Sequence, residues 1–114
     1  MKIEIHHKDS MQVEGLAEDF KEIIVDKLKT MERFQVPITT VKVEVVRESN
    51  PRFGKNNHNV TLITHGSGPF IKSEGSGKSN LKAFDQAIAG FELQLRKIHE
   101  KKSDVEHKKI HPAE

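Results

Sequence analysis

The sequence predicts an α+β domain of order β-α-β-β-β-α, a two-layer sandwich in which two helices cover one face of a four-stranded sheet. Three observations predict it. Four short segments alternate apolar and polar residues, the period of a strand with one wet face. Two long segments carry apolar residues at helical spacing. Every segment has a single apolar side, so one helical layer on one sheet buries all of them around one core.

Taken in order, residues 2–7 place Ile3 and Ile5 on one side and Lys2, Glu4 and His6 on the other, which is the first strand. Lys8 to Gly15 is a polar connection. Leu16, Phe20, Ile23, Ile24, Leu28 and Met31 then form an amphipathic stripe that Phe34 closes and Pro37 stops, because proline lacks an N–H and disfavours a helical residue before it. Thr39 to Arg47 is rich in β-branched residues, with Val41, Val43 and Val45 on one face. A polar loop from Ser49 to Asn57 follows, longer than a tight hairpin needs. Asn59 to His65 is the next strand, with Val60 and Leu62 inward. After the turn Gly66-Ser67-Gly68-Pro69 comes a short strand from Phe70 to Glu74, with Ile71 and Ser73 facing in. Gly75-Ser76-Gly77 is expected as a turn that ends the sheet. Ser79 or Asn80 can cap the last helix. Its stripe Leu81, Phe84, Ile88, Phe91, Leu95, Ile98 runs at spacings of 3, 4, 3, 4 and 3, flanked by the small Ala83 and Ala87. The three strands before it should form an antiparallel meander.

A length of 114 residues fits one domain. The periodicity ends near Lys102, so residues 1–102 are expected as the folded domain and 103–114 as a flexible tail or linker. With 34% hydrophobic and 32% charged residues the chain is polar, yet its apolar residues are clustered rather than dispersed. The chain has no cysteine, which excludes disulfides and thiolate metal sites and suits a reducing cytoplasm. No apolar stretch approaches the roughly 18 residues of a membrane helix. The opening Met-Lys-Ile-Glu-Ile already alternates like a strand, so no signal peptide is expected. The net charge is only +2, but from Gln94 to Lys109 six basic residues (Arg96, Lys97, Lys101, Lys102, Lys108, Lys109) meet three acids (Glu100, Asp104, Glu106). That segment is +3 and the remainder −1, a pattern that suits a polyanionic partner at one surface.

Three stretches carry a family resemblance: Asp26-Lys27-Leu28-Lys29-Thr30-Met31-Glu32-Arg33-Phe34 at the end of the first helix, Asn80-Leu81-Lys82-Ala83-Phe84-Asp85 at the start of the last, and its basic end Leu95-Arg96-Lys97-Ile98-His99-Glu100-Lys101-Lys102. Together with the element order they make the chain resemble the ribosome hibernation-promoting factors and ribosome-associated inhibitors, also called sigma-54 modulation proteins, over roughly residues 2–102. The resemblance implies a fold like that of a double-stranded-RNA-binding domain. It further implies a translation inhibitor that holds the small ribosomal subunit in the messenger and transfer RNA channel and protects idle ribosomes under stress. It implies RNA-binding roles for Lys27, Lys29 and Arg33 on the first helix and for Lys82, Arg96, Lys97, Lys101 and Lys102 on the last. Two features depart from the family pattern. Lys82 stands where an aromatic or alanine is common, and the first helix is acidic, with Glu18, Asp19, Glu22, Asp26 and Glu32 among its residues. The last helix is therefore expected to be the principal RNA-facing element. Some family members continue into a second domain that pairs two ribosomes.

The residue types themselves are suited to that role, since release of counterions by clustered Lys and Arg supplies most of the affinity for a nucleic acid. The same pattern also describes a solvated helix face whose cations complement the helix dipole. Arg96, Lys97 and Lys101 are expected to project from one side of the helix. Arg52 and Lys55 in the long loop are further RNA-binding candidates on charge alone, and Phe53 between them could stack on a base or fold back on its own domain. No metal is expected. His107 and His111 have i, i+4 spacing but no third ligand, and His6 and His7 point to opposite faces of a strand. No cofactor, small-molecule substrate or membrane partner is expected. An enzyme would need groups such as Asp85 and His65 to converge in a pocket, and neither Gly-Ser-Gly segment has the context or lysine of a phosphate loop. The remaining alternatives are a general structured-RNA-binding domain without ribosome specificity and a protein-interaction module. The latter would use the open sheet face, whose Lys, Glu, Thr and His content lacks apolar anchors.

Overall fold

The computed structural model describes residues 1–9, 18–47 and 58–110. Its elements are β1 (Lys2–Asp9), α1 (Glu18–Thr30) followed by a 3-10 turn (Met31–Phe34), β2 (Thr40–Arg47), β3 (His58–His65), β4 (Lys72–Gly77) and α2 (Asn80–Ile110). The expected order is therefore the observed one. The sheet runs β1-β2-β3-β4, with β1 parallel to β2 and the meander β2-β3-β4 antiparallel. The loop from Ser49 to Asn57, the first-helix position Leu16 and residues 111–114 lie outside the described residues.

The inner face of the sheet tapers from one side to the other. In register across β2, β3 and β4 lie Val43, Leu62 and Ser73, then Val45, Val60 and Gly75. Branched aliphatic residues thus give way to a hydroxyl and a glycine, and α2 sinks against β4 where side chains are smallest. A Cβ at Gly75 would collide with the Ala83 carbonyl oxygen, and one at Gly77 would lie 2.9 Å from Cβ of Lys82. The Ser73 hydroxyl donates to the Ala87 carbonyl at 2.7 Å. Gly75-Ser76-Gly77 is thus not the expected turn but the second half of β4. Its glycines serve close backbone approach, and composition does not separate that use from a turn.

One core joins both layers: Phe20, Ile24 and Leu28 of α1, the β2 valines, Val60 and Leu62, and Phe84, Ile88, Phe91 and Leu95 of α2. Phe20 and Phe84 meet edge to face with ring centroids 6.1 Å apart. Leu81, expected on the apolar stripe, is instead 44% exposed, because the stripe reaches the sheet only from Ala83 onward. Ser79 provides the cap, its Oγ accepting the Lys82 N–H at 3.2 Å. The first helix tightens to 3-10 geometry at Met31 and ends at Gln35, whose left-handed backbone (φ 56°) comes two residues before Pro37. Of the segment 103–114, residues up to Ile110 continue α2 as helical backbone. At 1.5 Å per residue α2 is about 46 Å long, well beyond the roughly 26 Å of an eight-residue strand.

Candidate nucleic-acid interface

The direction of each helix decides where its cations gather. Phe20 of α1 touches Phe84 early in α2. Further along, Arg33 forms an ion pair with Glu92, and Phe34 meets the His99 ring at 6.5 Å. The two helices therefore run side by side in the same direction. Lys27, Lys29 and Arg33 at the end of the first lie at the same end of the layer as Arg96, Lys97 and Lys101 of the second. Glu18, Asp19, Glu22 and Asp85 occupy the other end. The first turn of α1 is thus acidic and its last turn basic, with Lys21 among the acids and Asp26 beside Lys27.

Glu92 organises part of this basic end. Its Oε1 accepts from Arg33 and, at 3.5 Å, from Arg96 one turn away. Arg33 also lies over the Phe34 ring, 4.9 Å from its centroid, an arrangement favourable to a guanidinium. Two arginines from different elements are held side by side by one carboxylate. The resemblance in sequence pointed to both arginines but not to Glu92. Its signal was the i, i+4 spacing to Arg96.

The basic residues of α2 do not share one side as expected. Successive residues of a helix point about 100° apart. Arg96 and His99 turn toward α1, as their contacts with Glu92 and Phe34 require. Lys97 and Lys101 instead continue the row Gln86, Gly90, Gln94, which touches β4: Gln86 Oε1 accepts the Ser76 N–H and Gln94 Nε2 donates to the Lys72 carbonyl, both at 2.8 Å. Lys97 and Lys101 line a shallow depression with Ile98 and Glu100. The basic end therefore has two flanks, one of arginines facing α1 and one of lysines on the side of α2 that meets β4 earlier along the helix.

Lys27, Lys29, Lys82, Lys97 and Lys101 are exposed and make no ion pair among the described residues. Lys82 does not join the others, since it lies fourteen residues before Arg96 on α2, about 21 Å along the axis. Lys102 is on α2, but its side chain, like Arg52, Phe53 and Lys55 in the loop, lies outside the described residues, as do the side chains of His107 and His111. On the open sheet face three lysines are paired along their own strands, Lys2 with Glu4 at 3.5 Å, Lys42 with Glu44 at 3.0 Å and Lys72 with Glu74 at 3.3 Å, whereas the exposed Lys8 of β1 makes no ion pair among the described residues. Among the described residues no group of His, Asp and Glu could hold a metal, and no helix is long and apolar enough to cross a membrane.

Comparison with known proteins places this arrangement. The model of the family described as sigma 54 modulation protein / S30EA ribosomal protein matches residues 6–103. The chain belongs to that family. A ribosome hibernation promotion factor from Mycobacterium tuberculosis (strain ATCC 25618 / H37Rv) is 29% identical over 82 residues, 72% of this chain and 37% of the relative, so the chain corresponds to little more than a third of that relative's length. The crystal structure of the Thermus thermophilus Protein Y N-terminal domain is similar with a TM-score of 0.66 at 16% identity, covering 86% of this chain and 99% of that one. A ribosomal subunit interface protein from Coxiella burnetii gives 0.59 at 15% identity, covering 83% and 96%. At those identities the likeness is one of fold, and it agrees with the α+β architecture of the family member described above.

Proposed function

We propose that this chain is a ribosome hibernation factor that binds the small ribosomal subunit through its helical layer, in the channel for messenger and transfer RNA, and so blocks translation in the cytoplasm while protecting idle ribosomes. The role is one of binding without catalysis, in keeping with a non-enzymatic family. One observation supports the helical face as the RNA-binding surface. Exposed cations of both helices meet at one end of that layer, and Lys27, Lys29, Lys97 and Lys101 there make no ion pair among the described residues, whereas Lys2, Lys42 and Lys72 of the open sheet face are matched by glutamates of the same strands and only Lys8 is not. Unpaired cations release counterions from ribosomal RNA when they bind, while a lysine with a carboxylate beside it gains less. Lys27, Lys29, Lys97, Lys101 and Lys102 are assigned to this contact, together with Arg33 and Arg96, which share the single carboxylate of Glu92 and so keep a net positive charge between them. Arg52 and Lys55 are secondary candidates, and Lys82 would touch a separate point.

Cosedimentation tests the proposal. The purified protein should pellet with small ribosomal subunits at low salt and release steeply as salt rises. It should do so in the presence of excess duplex RNA. If it stays in the supernatant while a control factor pellets, the reading fails. Complete displacement by duplex RNA would favour general RNA binding without ribosome specificity.

A further inference from the structure

Arg33 and Arg96 come from different elements, yet both guanidinium groups reach one oxygen atom, Oε1 of Glu92. Two like charges do not gather in this way without a cause. The Glu92 side chain is only 29% exposed, against 58% and 57% for the two arginines. The carboxylate therefore sits at the base of the pair, with the guanidinium groups outermost. Arg33 is fixed a second time, because its guanidinium lies over the Phe34 ring, 4.9 Å from the centroid. That ring is held in turn: Phe34 packs against the core and meets the His99 ring at 6.5 Å. Ion pairs this exposed contribute little to stability. What these contacts supply is order in two long side chains.

Each arginine reaches Glu92 through one terminal nitrogen, Nη2, and a guanidinium carries five N–H donors in a planar fork. Most donors of both groups therefore remain for a ligand, and one carboxylate between two cations leaves a positive charge in excess. The ligand this suits is an anion that presents several oxygens in a fixed array. A phosphodiester of RNA has that form, and guanidinium forks match it bidentately. A loose arginine must be ordered at the moment of binding, which costs affinity. Here the ordering precedes contact. The surroundings have the same sign, with Lys27 and Lys29 in the last turn of α1 and Lys97 next to Arg96 in α2. A carboxylate in such a place weakens the attraction for a polyanion, unless it improves the geometry of the cations it holds.

We infer that Arg33 and Arg96 form a clamp for one RNA phosphate, and that Glu92 is its positioning residue, ordering both guanidinium groups before RNA arrives. This rests on the proposed RNA-binding role and adds to it a specific subsite between the end of the first helix and α2. Small-subunit affinity of the full chain tests it, because charge and positioning predict opposite signs. If Glu92 only lowers the local charge, Glu92→Ala should bind more tightly. As a positioning residue its loss should weaken binding roughly 3- to 10-fold, the cost of ordering one long side chain on contact, although a negative charge has gone. Glu92→Gln keeps an oxygen acceptor in place and should bind at least as well as the parent. Arg33→Lys with Arg96→Lys keeps both charges, so the salt slope should hold, while loss of the planar forks lowers affinity. Thermal melts of these variants should lie close to the parent's, which separates positioning from unfolding. Parental or tighter binding by Glu92→Ala overturns the proposal, as does Glu92→Gln binding as weakly as Glu92→Ala, or parental affinity of the double lysine variant. If the parent protein ignores small subunits, the hibernation reading falls. A duplex oligoribonucleotide then decides the clamp alone, read through the NMR signals of the Arg33 and Arg96 Nε–H groups. Shifts of both signals on adding duplex, smaller in Glu92→Ala at the same concentration, sustain it. Unmoved signals, or equal shifts in both proteins, overturn it.

Discussion

Gly75 governs how closely the long helix can lie on the sheet. Any Cβ there meets the backbone of Ala83 and Ala87, and backbone cannot rotate away as a long side chain can. Gly75→Ala should therefore destabilise the domain by about 1–3 kcal/mol, the usual cost of overpacking, measured by denaturant unfolding. Glu92 presents the opposite case. It joins Arg33 and Arg96, but both arginine side chains are more than half exposed. Glu92→Gln should change stability by no more than about 1 kcal/mol, since exposed ion pairs contribute little, and thermal melts would check it. The sequence disclosed these two residues unequally. The valines of β2 and the stripe from Phe84 to Ile98 were legible because periodicity is a signal repeated along the chain. A single glycine or glutamate has no such repetition. Gly75 was read as a turn residue because the demand for close approach comes from Ala83, eight positions away, and Glu92 depends on Arg33, distant in sequence.

At the scale of elements, β4 is an edge strand whose outward backbone groups are covered by the helix that packs on it. Gln86 and Gln94, two turns apart on α2, take the Ser76 N–H and the Lys72 carbonyl. Such cover blunts an edge that could otherwise pair with another chain. Gln86→Ala should accelerate hydrogen exchange at the Ser76 amide and cost about 1 kcal/mol, the net worth of one hydrogen bond. Amide exchange followed by NMR would separate this from global loosening, because the Val43 and Leu62 amides in the centre of the sheet should keep their protection. All six expected elements are present, since each carries its own period. Their ends were harder to read. The apolar stripe of α2 stops where the sheet beneath it stops, yet the backbone remains helical to Ile110. Burial sets the hydrophobic pattern, whereas local propensity can carry a helix beyond it. The flanks of α2 were also not legible as separate surfaces, because only the packing of α1 and β4 gives each side its neighbour.

The whole molecule presents two faces of different electrical character. Changing Arg96, Lys97, Lys101 and Lys102 together to Glu should reduce small-subunit affinity far more than changing Lys2, Lys42 and Lys72 together. Lys2, Lys42 and Lys72 each have a glutamate within 3.5 Å, whereas Lys97 and Lys101 pair with no acid among the described residues. The difference should shrink as salt screens both sets. Binding at two salt concentrations, with melts confirming both folds, would check it. Equal losses would mean that charge acts without regard to place, and a larger loss from the sheet set would move the RNA to the open face.

The separation of Glu18, Asp19, Glu22 and Asp85 from the cations at the far end of the same layer also gives the molecule a direction. A chain with a net charge of only +2 is drawn weakly toward a polyanion as a whole. Although Lys21 and Lys82 lie among the acids and Asp26, Glu92 and Glu100 among the cations, the two ends still differ in net charge and so experience a torque in that field. A molecule arriving acid end first would be repelled and turned before contact, so the fraction of encounters that are correctly oriented exceeds what random tumbling gives. The advantage operates over about a Debye length, roughly 8 Å at physiological ionic strength, so it belongs to the final approach rather than to long-range capture.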